Sequence, residues 1–422
     1  MKKQLFFIAL FLTSCLIVFS QESGTKKQKK HREKQDTVIV TDDNSFADSY
    51  DQPDDGLDDS ESDNNYVPGL LHSSRDVYDN NTSFNFSIAY FKARGYDSRF
   101  QNLCINNFQF NSLVTGRATY SQWGGLNHVM RYPEIVTGMN VSTFNFGNIG
   151  GAHNYTTRAS SYRKQIRATY SLNNRNYTNR LMFTYATGLL KNGWAVAACL
   201  STRFGDGLNY VDGVTYNGFS YFLSVEKKIN TVHALNLTAW GAPTVRGMQA
   251  AAVQEAYDIT GTHYYNPNWG WYQGKKRNAR MRTVHEPVIM LTHYYTPNSK
   301  LSMTTTLSAS FGRNSSTNLN WYDAPDPRPD YYKYLPSYQI DHGDTLSTYY
   351  DVLNAWQNDA NVRQINWDKL YEVNQLAAVQ GKRAQYILEN RVYDHLLIGG
   401  VTNAIYTINE HIKLNTAFSH DL

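Results

Sequence analysis

From Ile166 onward the chain alternates. Ile166, Ala168, Tyr170 and Leu172 take every second position, with Arg167, Thr169, Ser171 and Asn173 between them. Leu181, Phe183 and Tyr185 repeat the pattern, as do Trp194, Val196, Ala198 and Leu200, then Phe219, Tyr221, Leu223 and Val225, then Leu235 and Leu237. In a later run Leu301, Met303, Thr305, Leu307, Ala309 and Phe311 alternate with Ser302, Thr304, Thr306, Ser308 and Ser310. A period of two predicts strands with one apolar face. Their length of about ten residues is what a tilted strand needs to cross an outer membrane. Counting gives about nine strands by Asp421, where Ile412, Leu414, Thr416 and Phe418 carry a last alternating run.

The connections alternate in length as well. Short turns fall near 189–192, 230–232, 297–299 and 409–410, and long ones span 205–218, 243–285 and 313–394. Short turns at one end and long loops at the other are the habit of outer-membrane barrels. The longest connection holds a helical pattern over 367–388, with Leu370, Val373, Leu376, Ala377 and Val379 on one face. It predicts an external cap element.

Residues 84–158 have a different texture. Short apolar runs such as 103–105 and 134–136 lie between glycines at 95, 116, 124, 125, 138, 147, 150 and 151. That predicts a small mixed domain of short strands and tight turns. Gly147, Gly150 and Gly151 let backbone approach backbone closely. The cluster lacks the spacing and the Lys-Ser/Thr of a phosphate loop. Arg94, Arg131 and Arg158 recur beside the glycines, as partners for carboxylates on a neighbouring wall or as solvated surface.

The leading segment cannot build a core. Residues 1–20 read as a secretory signal, with Lys2 and Lys3 before an apolar stretch over 5–19. Leu12-Thr13-Ser14-Cys15 offers a rival lipoprotein cleavage box. Residues 21–65 are a charged linker, basic over 26–34 and Asp-rich over 42–63, and are expected to be disordered. Between the two charge blocks lies Asp36-Thr37-Val38-Ile39-Val40, a short β-prone segment of the kind that adds to another protein's sheet edge.

Composition narrows the function. Of 422 residues 18% are charged and 14% aromatic, with 32 tyrosines, which suits an aromatic girdle around an apolar band. A net charge of +4 does not favour nucleic acid. After the N-terminus no apolar run approaches the ~20 residues of a spanning helix. Cys104 and Cys199 are too few for a disulfide framework and read as small buried or lipid-facing groups.

These motifs, taken in order, resemble the TonB-dependent outer-membrane receptors, in particular their Bacteroidetes branch. The residues carrying the resemblance are Ser74-Arg75-Asp76-Val77, Arg94-Gly95-Tyr96-Asp97-Ser98, Ile105-Asn106, Trp123-Gly124-Gly125-Leu126-Asn127 and Phe146-Gly147-Asn148-Ile149-Gly150-Gly151. Downstream, Tyr264-Tyr265-Asn266-Pro267-Asn268-Trp269-Gly270 and the run from Asn320 to Tyr332 extend it. Asn107 departs from the family's usual Gly, and His128 from a common acidic residue. The resemblance implies a mainly β protein: a mixed α/β plug over 66–163, then over 164–422 the first strands of an antiparallel barrel of about 22 strands. It implies that residues 36–40 are the box offered to a periplasmic TonB-type transducer. Outer-membrane lipid, an unidentified imported ligand and a surface lipoprotein are the other implied partners. An open nine-stranded edge in lipid leads us to expect a truncated record or a split gene. A non-transporting adhesin or structural barrel is the alternative.

No enzyme or cofactor is indicated. There is no Cys-x-x-Cys pair and no Gly-x-Ser-x-Gly elbow, and His285-Glu286-Pro287 lacks the second His of a zinc-protease helix. His263, His285 and His293 are the metal-ligand candidates. Tyr264, Tyr265, Trp269 and Trp271 form an aromatic-dense loop that either stacks on a ligand or packs internally.

Overall fold

The computed structural model describes residues 96–130, 133–136, 138–172, 177–205, 211–343 and 345–421, all within one compact unit, Pro53–Leu422. The signal, the linker, the segment 36–40, Arg94, Gly95 and Arg131 lie outside them.

A small globule comes first. Its strands are β1 (Asn102–Ile105), β2 (Phe108–Gln109), β3 (Pro133–Val136) and β4 (Ala152–Tyr155), in the order β2-β1-β4-β3, with β1 and β4 parallel. Asn106 and Asn107 join β1 to β2 with φ of 48° and 68°. Two successive left-handed residues make the turn that suits a two-residue hairpin. Asn tolerates that region, and Asn154 locks the second position by donating to the Asn107 side-chain carbonyl at 2.9 Å. The departure from Gly therefore keeps the turn.

The large sheet follows: β5 (Gln165–Leu172), β6 (Asn179–Ala186), β7 (Trp194–Gly205), β8 (Tyr216–Lys228), β9 (His233–Gly241), β10 (Thr244–Gly247), β11 (Trp269–Tyr272), β12 (Lys275–Asn278), β13 (Met281–His285), β14 (Val288–Asn298), β15 (Leu301–Trp321), β16 (Tyr386–Thr407) and β17 (Lys413–Asp421). β11 and β12 form a separate hairpin. β10 continues the track of β9 past Ala242 and Pro243, and β13 leads into β14 through Glu286 and Pro287. Proline cannot donate to the ladder and sits at such breaks. The sheet thus has nine lateral tracks, all antiparallel, with β5 paired only to β6 and β17 only to β16 among the described residues. No described helix is long and apolar enough to cross a membrane.

Four short turns share one device. The side-chain oxygen of Asn192, Asn230, Asn298 or Asn409 accepts from the backbone N–H two residues on, and in the last three also from the next one. These Asx turns close the hairpins at one end of the sheet. At the other end lie α1 (Gln254–Thr260), α2 (Pro336–Asp341), α3 (Leu346–Asn358) and α4 (Trp367–Val379). The predicted helix over 367–388 stops earlier, at Val379. Gly381 takes φ of 65° and the Lys382 N–H turns back to the Ala377 carbonyl at 2.8 Å, so the chain leaves the helix and enters β16. Leu370 and Ala377 are buried on α4, but Leu376 and Val379 are exposed. β15 and β16 also run farther than their apolar alternation predicts, because twenty-one residue pairs keep the ladder continuous from Leu301 opposite Tyr406 to Trp321 opposite Tyr386.

The sheet is inside out. Leu181, Phe183, Leu200, Phe219, Leu223, Leu237, Ile289, Leu291 and Phe311 are exposed. Their alternates Thr184, Ser201, Ser220, Ser224, Glu226, Asn236, Thr238, Thr292 and Thr306 are buried, as are Arg180 and Arg203. The covered face is the polar one, and the globule lies against it. An Arg placed at the mid-strand outward position, Leu237→Arg, is expected to cost ~2–4 kcal/mol in lipid bilayers, read as a lowered unfolding midpoint. Leu237→Phe is expected to leave the midpoint unchanged.

Candidate functional site

The site that the fold assembles is the seam between globule and sheet. Its centre is Thr157, fully buried, two residues past β4. The Thr157 N–H donates to the Asn106 side-chain oxygen at 2.8 Å, and the Asn106 amide donates to Thr157 Oγ1 at 2.7 Å and to Thr292 Oγ1 at 3.2 Å. Thr306 Oγ1 donates to the Asn106 carbonyl at 2.7 Å. Ser224 Oγ donates to the Thr157 carbonyl at 2.7 Å, and the Ala159 N–H donates to Asn236 Oδ1 at 3.0 Å. Threonine, serine and asparagine on β8, β9, β14 and β15 thus satisfy a turn of globule backbone that water would otherwise have to reach.

An ion pair closes the seam on one side. Arg158 Nε and Nη2 donate to Glu226 Oε1 at 2.9 and 2.8 Å, and the Ser160 N–H donates to Glu226 Oε2 at 2.9 Å. The Glu226 side chain is 0% exposed. The Arg158 guanidinium lies over the Tyr294 ring at 4.3 Å. Of the three arginines that recur beside the glycines, this one meets a wall carboxylate.

The Trp-Gly-Gly turn forms another part. Trp123 is buried in a core shared by both bodies, with Phe110, Leu126 and Met130 of the globule against Phe222, Trp240, Val288 and Met290 of the sheet. Gly125 has φ of 85°, and a Cβ there would come within 2.8 Å of Arg203 Nε and of Ser220 Oγ. Ser220 Oγ donates to the Gly124 carbonyl at 2.6 Å. Arg203 lies over Tyr216 at 5.2 Å. His128 takes the role of a tether: Nδ1 is 2.8 Å from Thr184 Oγ1 and Nε2 is 3.2 Å from Thr169 Oγ1. The other glycines lie within the globule. A Cβ on Gly150 would come within 2.7 Å of the Phe100 carbonyl oxygen, so Gly150 permits a close approach there. Gly147 and Gly151 have positive φ, 77° and 89°.

The four aromatic loop residues are not gathered on one face. Trp269 and Tyr265 are buried, with Tyr265 Oη donating to the Arg363 carbonyl at 3.0 Å, whereas Tyr264 and Trp271 are exposed. The three candidate metal ligands have separate neighbours: His263 stands by Tyr257, His285 by Tyr221, and His293 by His233. No group of three or more metal-ligating side chains occurs among the described residues. Cys104 and Cys199 are both buried and unbridged.

Sequence reading carried Asn106 only inside the Ile105-Asn106 motif and did not single out Ser224, Asn236 or Glu226. The signal was present: polar residues held the second phase of each alternating strand, and that phase faces the globule.

No protein-family model matches the chain, and no curated protein matches it. Solved structures do. The siderophore receptor PiuA of Acinetobacter baumannii aligns at 11% identity and a TM-score of 0.47, over 79% of this chain and 39% of that one. The open form of the ferric-catecholate import receptor Fiu of E. coli K12 aligns at 12% and 0.43, over 79% and 44%. The copper transporter OprC aligns at 10% and 0.44, over 77% and 38%. The chain spans less than half the length of these proteins.

Two outcomes follow from the seam. Glu226→Ala strands the Arg158 charge and is expected to cost ~3–5 kcal/mol; the double variant Arg158→Leu, Glu226→Leu is expected to lose less than Glu226→Ala alone, measured by denaturant unfolding in detergent. His153, buried in the globule with Nε2 accepting from the Gln101 amide at 2.9 Å, has its pKa pushed down to about 4 by burial. The folded state keeps it neutral while the unfolded chain protonates near 6.5. Stability is therefore full above about pH 6.5, falls as pH drops towards 4, and is flat below, a loss of about 3 kcal/mol. His153→Gln is expected to flatten that slope in the same unfolding measurement.

Proposed function

We propose that this chain forms the gated part of an active outer-membrane importer of the TonB-dependent class, Bacteroidetes branch. The globule is the plug, the nine tracks belong to a barrel of about 22 strands, and residues 36–40 are the handle that a periplasmic transducer pairs with and pulls. The ligand enters from the end that carries the long connections. Energy comes from the transducer, since no nucleotide-binding motif was found in the sequence.

One observation carries the reading: the sheet presents leucine, phenylalanine and isoleucine outward and threonine, serine and asparagine inward. In water that arrangement would be unfavourable over its whole area. In a bilayer it is the favourable one, because lipid covers the apolar face while the backbone is satisfied within the sheet. The polar seam supports the gating step. Its hydrogen bonds exchange for bonds to water at small net cost, each worth about 0.5–1.5 kcal/mol, so a pull on the plug works mainly against the shared core around Trp123 and the Arg158–Glu226 pair.

The test uses a thiol reporter. In a Cys104→Ser, Cys199→Ser background, Thr157→Cys places a buried thiol in the seam. A membrane-impermeant maleimide is expected to label it in energised cells, and not in cells lacking the transducer or in a variant lacking residues 36–40. Equal labelling in all three strains would defeat the proposal, and so would no labelling in any.

A further inference from the structure

The outward face of the sheet changes character in one step near the short turns. One row of cross-strand partners on that face reads Val196, Val225, Leu237, Leu291, Leu307 and Gly400. The next outward row toward the turns reads Trp194, Lys227, Leu235, His293, Thr305 and Thr402. An apolar row gives way to one that carries an indole, an ammonium, an imidazole and a hydrogen-bonded pair of threonine hydroxyls. Tryptophan and lysine settle where hydrocarbon meets head groups, the ring within the boundary and the ammonium beyond it.

Beside Trp194 the chain gathers cations around one turn, residues 188–193. The Lys227 ammonium lies over the Trp194 ring at 4.9 Å and donates to the Asn192 carbonyl at 2.9 Å. Lys164 leads into β5 beside the same turn, where a Cβ on Gly188 would stand 3.5 Å from the Lys164 backbone nitrogen. Lys191 is exposed within the turn. The turn is ordered: the Leu190 N–H donates to the Trp194 carbonyl at 2.8 Å, and the Lys228 N–H donates to the Gly193 carbonyl at 2.7 Å. A site that is already ordered loses little entropy on binding. Apolar surface adjoins the lysines, since Leu189, Leu190 and Trp194 are 49%, 42% and 43% exposed.

No carboxylate offsets these lysines. Among the described residues 161–166, 187–194 and 227–233 none is acidic. The Glu226 side chain is on the inner face, 0% exposed and bound to Arg158. The long-connection end is built differently: there Arg313 pairs with Asp394, Arg328 with Asp326 and Lys276 with Asp212. Ammonium groups without a counter-charge, set at the edge of exposed leucine and tryptophan, match an amphiphile with a net negative phosphodiester. Its phosphate takes the lysines and its acyl chains take the apolar surface. A zwitterionic lipid brings its own ammonium to the same lysines, and the repulsion cancels part of the gain.

We propose that the turn 188–193, with Lys164, Lys191 and Lys227 around it, seats an anionic glycerophospholipid of the leaflet on the short-turn side. The proposal rests on the reading that the apolar face lies in a bilayer. Native mass spectrometry of the full chain, released from amine-oxide micelles, counts the lipid that stays bound. The probes are dioleoylphosphatidylglycerol and dioleoylphosphatidylcholine, which share their acyl chains, with excess inorganic phosphate as competitor. The glycerol lipid is expected to bind at least about tenfold more tightly than the choline lipid, and inorganic phosphate to leave it in place. Lys191→Gln with Lys227→Gln is expected to cut that preference to about threefold or less. Lys164→Gln with Lys191→Gln, both exposed, is expected to do the same while keeping the Lys227 contacts. Lys382→Gln with Arg383→Gln, an equal loss of charge between α4 and β16, is expected to keep the preference whole. Equal affinity for the two lipids, displacement by inorganic phosphate, a preference that survives both turn variants, or one lost in the Lys382, Arg383 variant would each overturn the proposal. A chain that binds neither lipid overturns it as well, and one that also needs no detergent overturns the bilayer reading beneath it. No transducer is present in this assay, so its failure is separate from a failure of thiol labelling in cells.

Discussion

Everything in the molecule turns on how a folded globule is kept against the polar face of the sheet. The contact at Thr157 shows the compromise. Its backbone and side chain are satisfied by β8 and β9 and by Asn106 of its own body, which β14 and β15 hold in turn, each bond modest and each replaceable by water. The Arg158–Glu226 pair adds direction, because a buried carboxylate tolerates only one arrangement of its partners. A seat made wholly of leucine would be harder to leave; one made wholly of charge would be hard to form.

The same wall explains the sheet. Because its inner phase carries the polar groups, its outer phase is free to be apolar, and the two choices are one choice made residue by residue at period two. The shared core of Trp123, Phe222, Trp240 and Met290 is confined to part of the contact and gives the globule a fixed depth. His128, set between Thr184 and Thr169, fixes its rotation about that point.

How much of this could be read from the chain differs by element. Strand alternation was legible because each strand faces two unlike media, so each residue type reports its side. The hairpin ends were legible because asparagine and glycine do local work there. The length of α4 was not: Leu376 and Val379 continue a helical stripe, and only the αL turn at Gly381 ends it. The outer halves of β15 and β16 escaped because Asn314, Ser315, Ser316, Asn318 and Asn320 leave the pattern polar on both sides, where both faces of a ribbon meet water or loops. The aromatic loop was legible as dense but not as divided. Burial of Trp269 and Tyr265 depends on partners such as Trp356 and Ile365, which lie some ninety residues away in sequence and carry no local mark. Ser224 and Asn236 were quiet for the same reason: a polar strand residue becomes special only through what surrounds it.

The paired ribbon of β15 and β16 is a mechanical element. Twenty-one residues at ~3.3 Å each extend roughly 70 Å along the strand, about twice what a tilted crossing of the bilayer takes. The excess is a mast, stayed by β13 and by Asn374 of α4. Because side chains alternate along it, the mast can be shortened or lengthened without re-facing its residues only by two positions in each strand at once. Its height is therefore quantised in steps of roughly 7 Å.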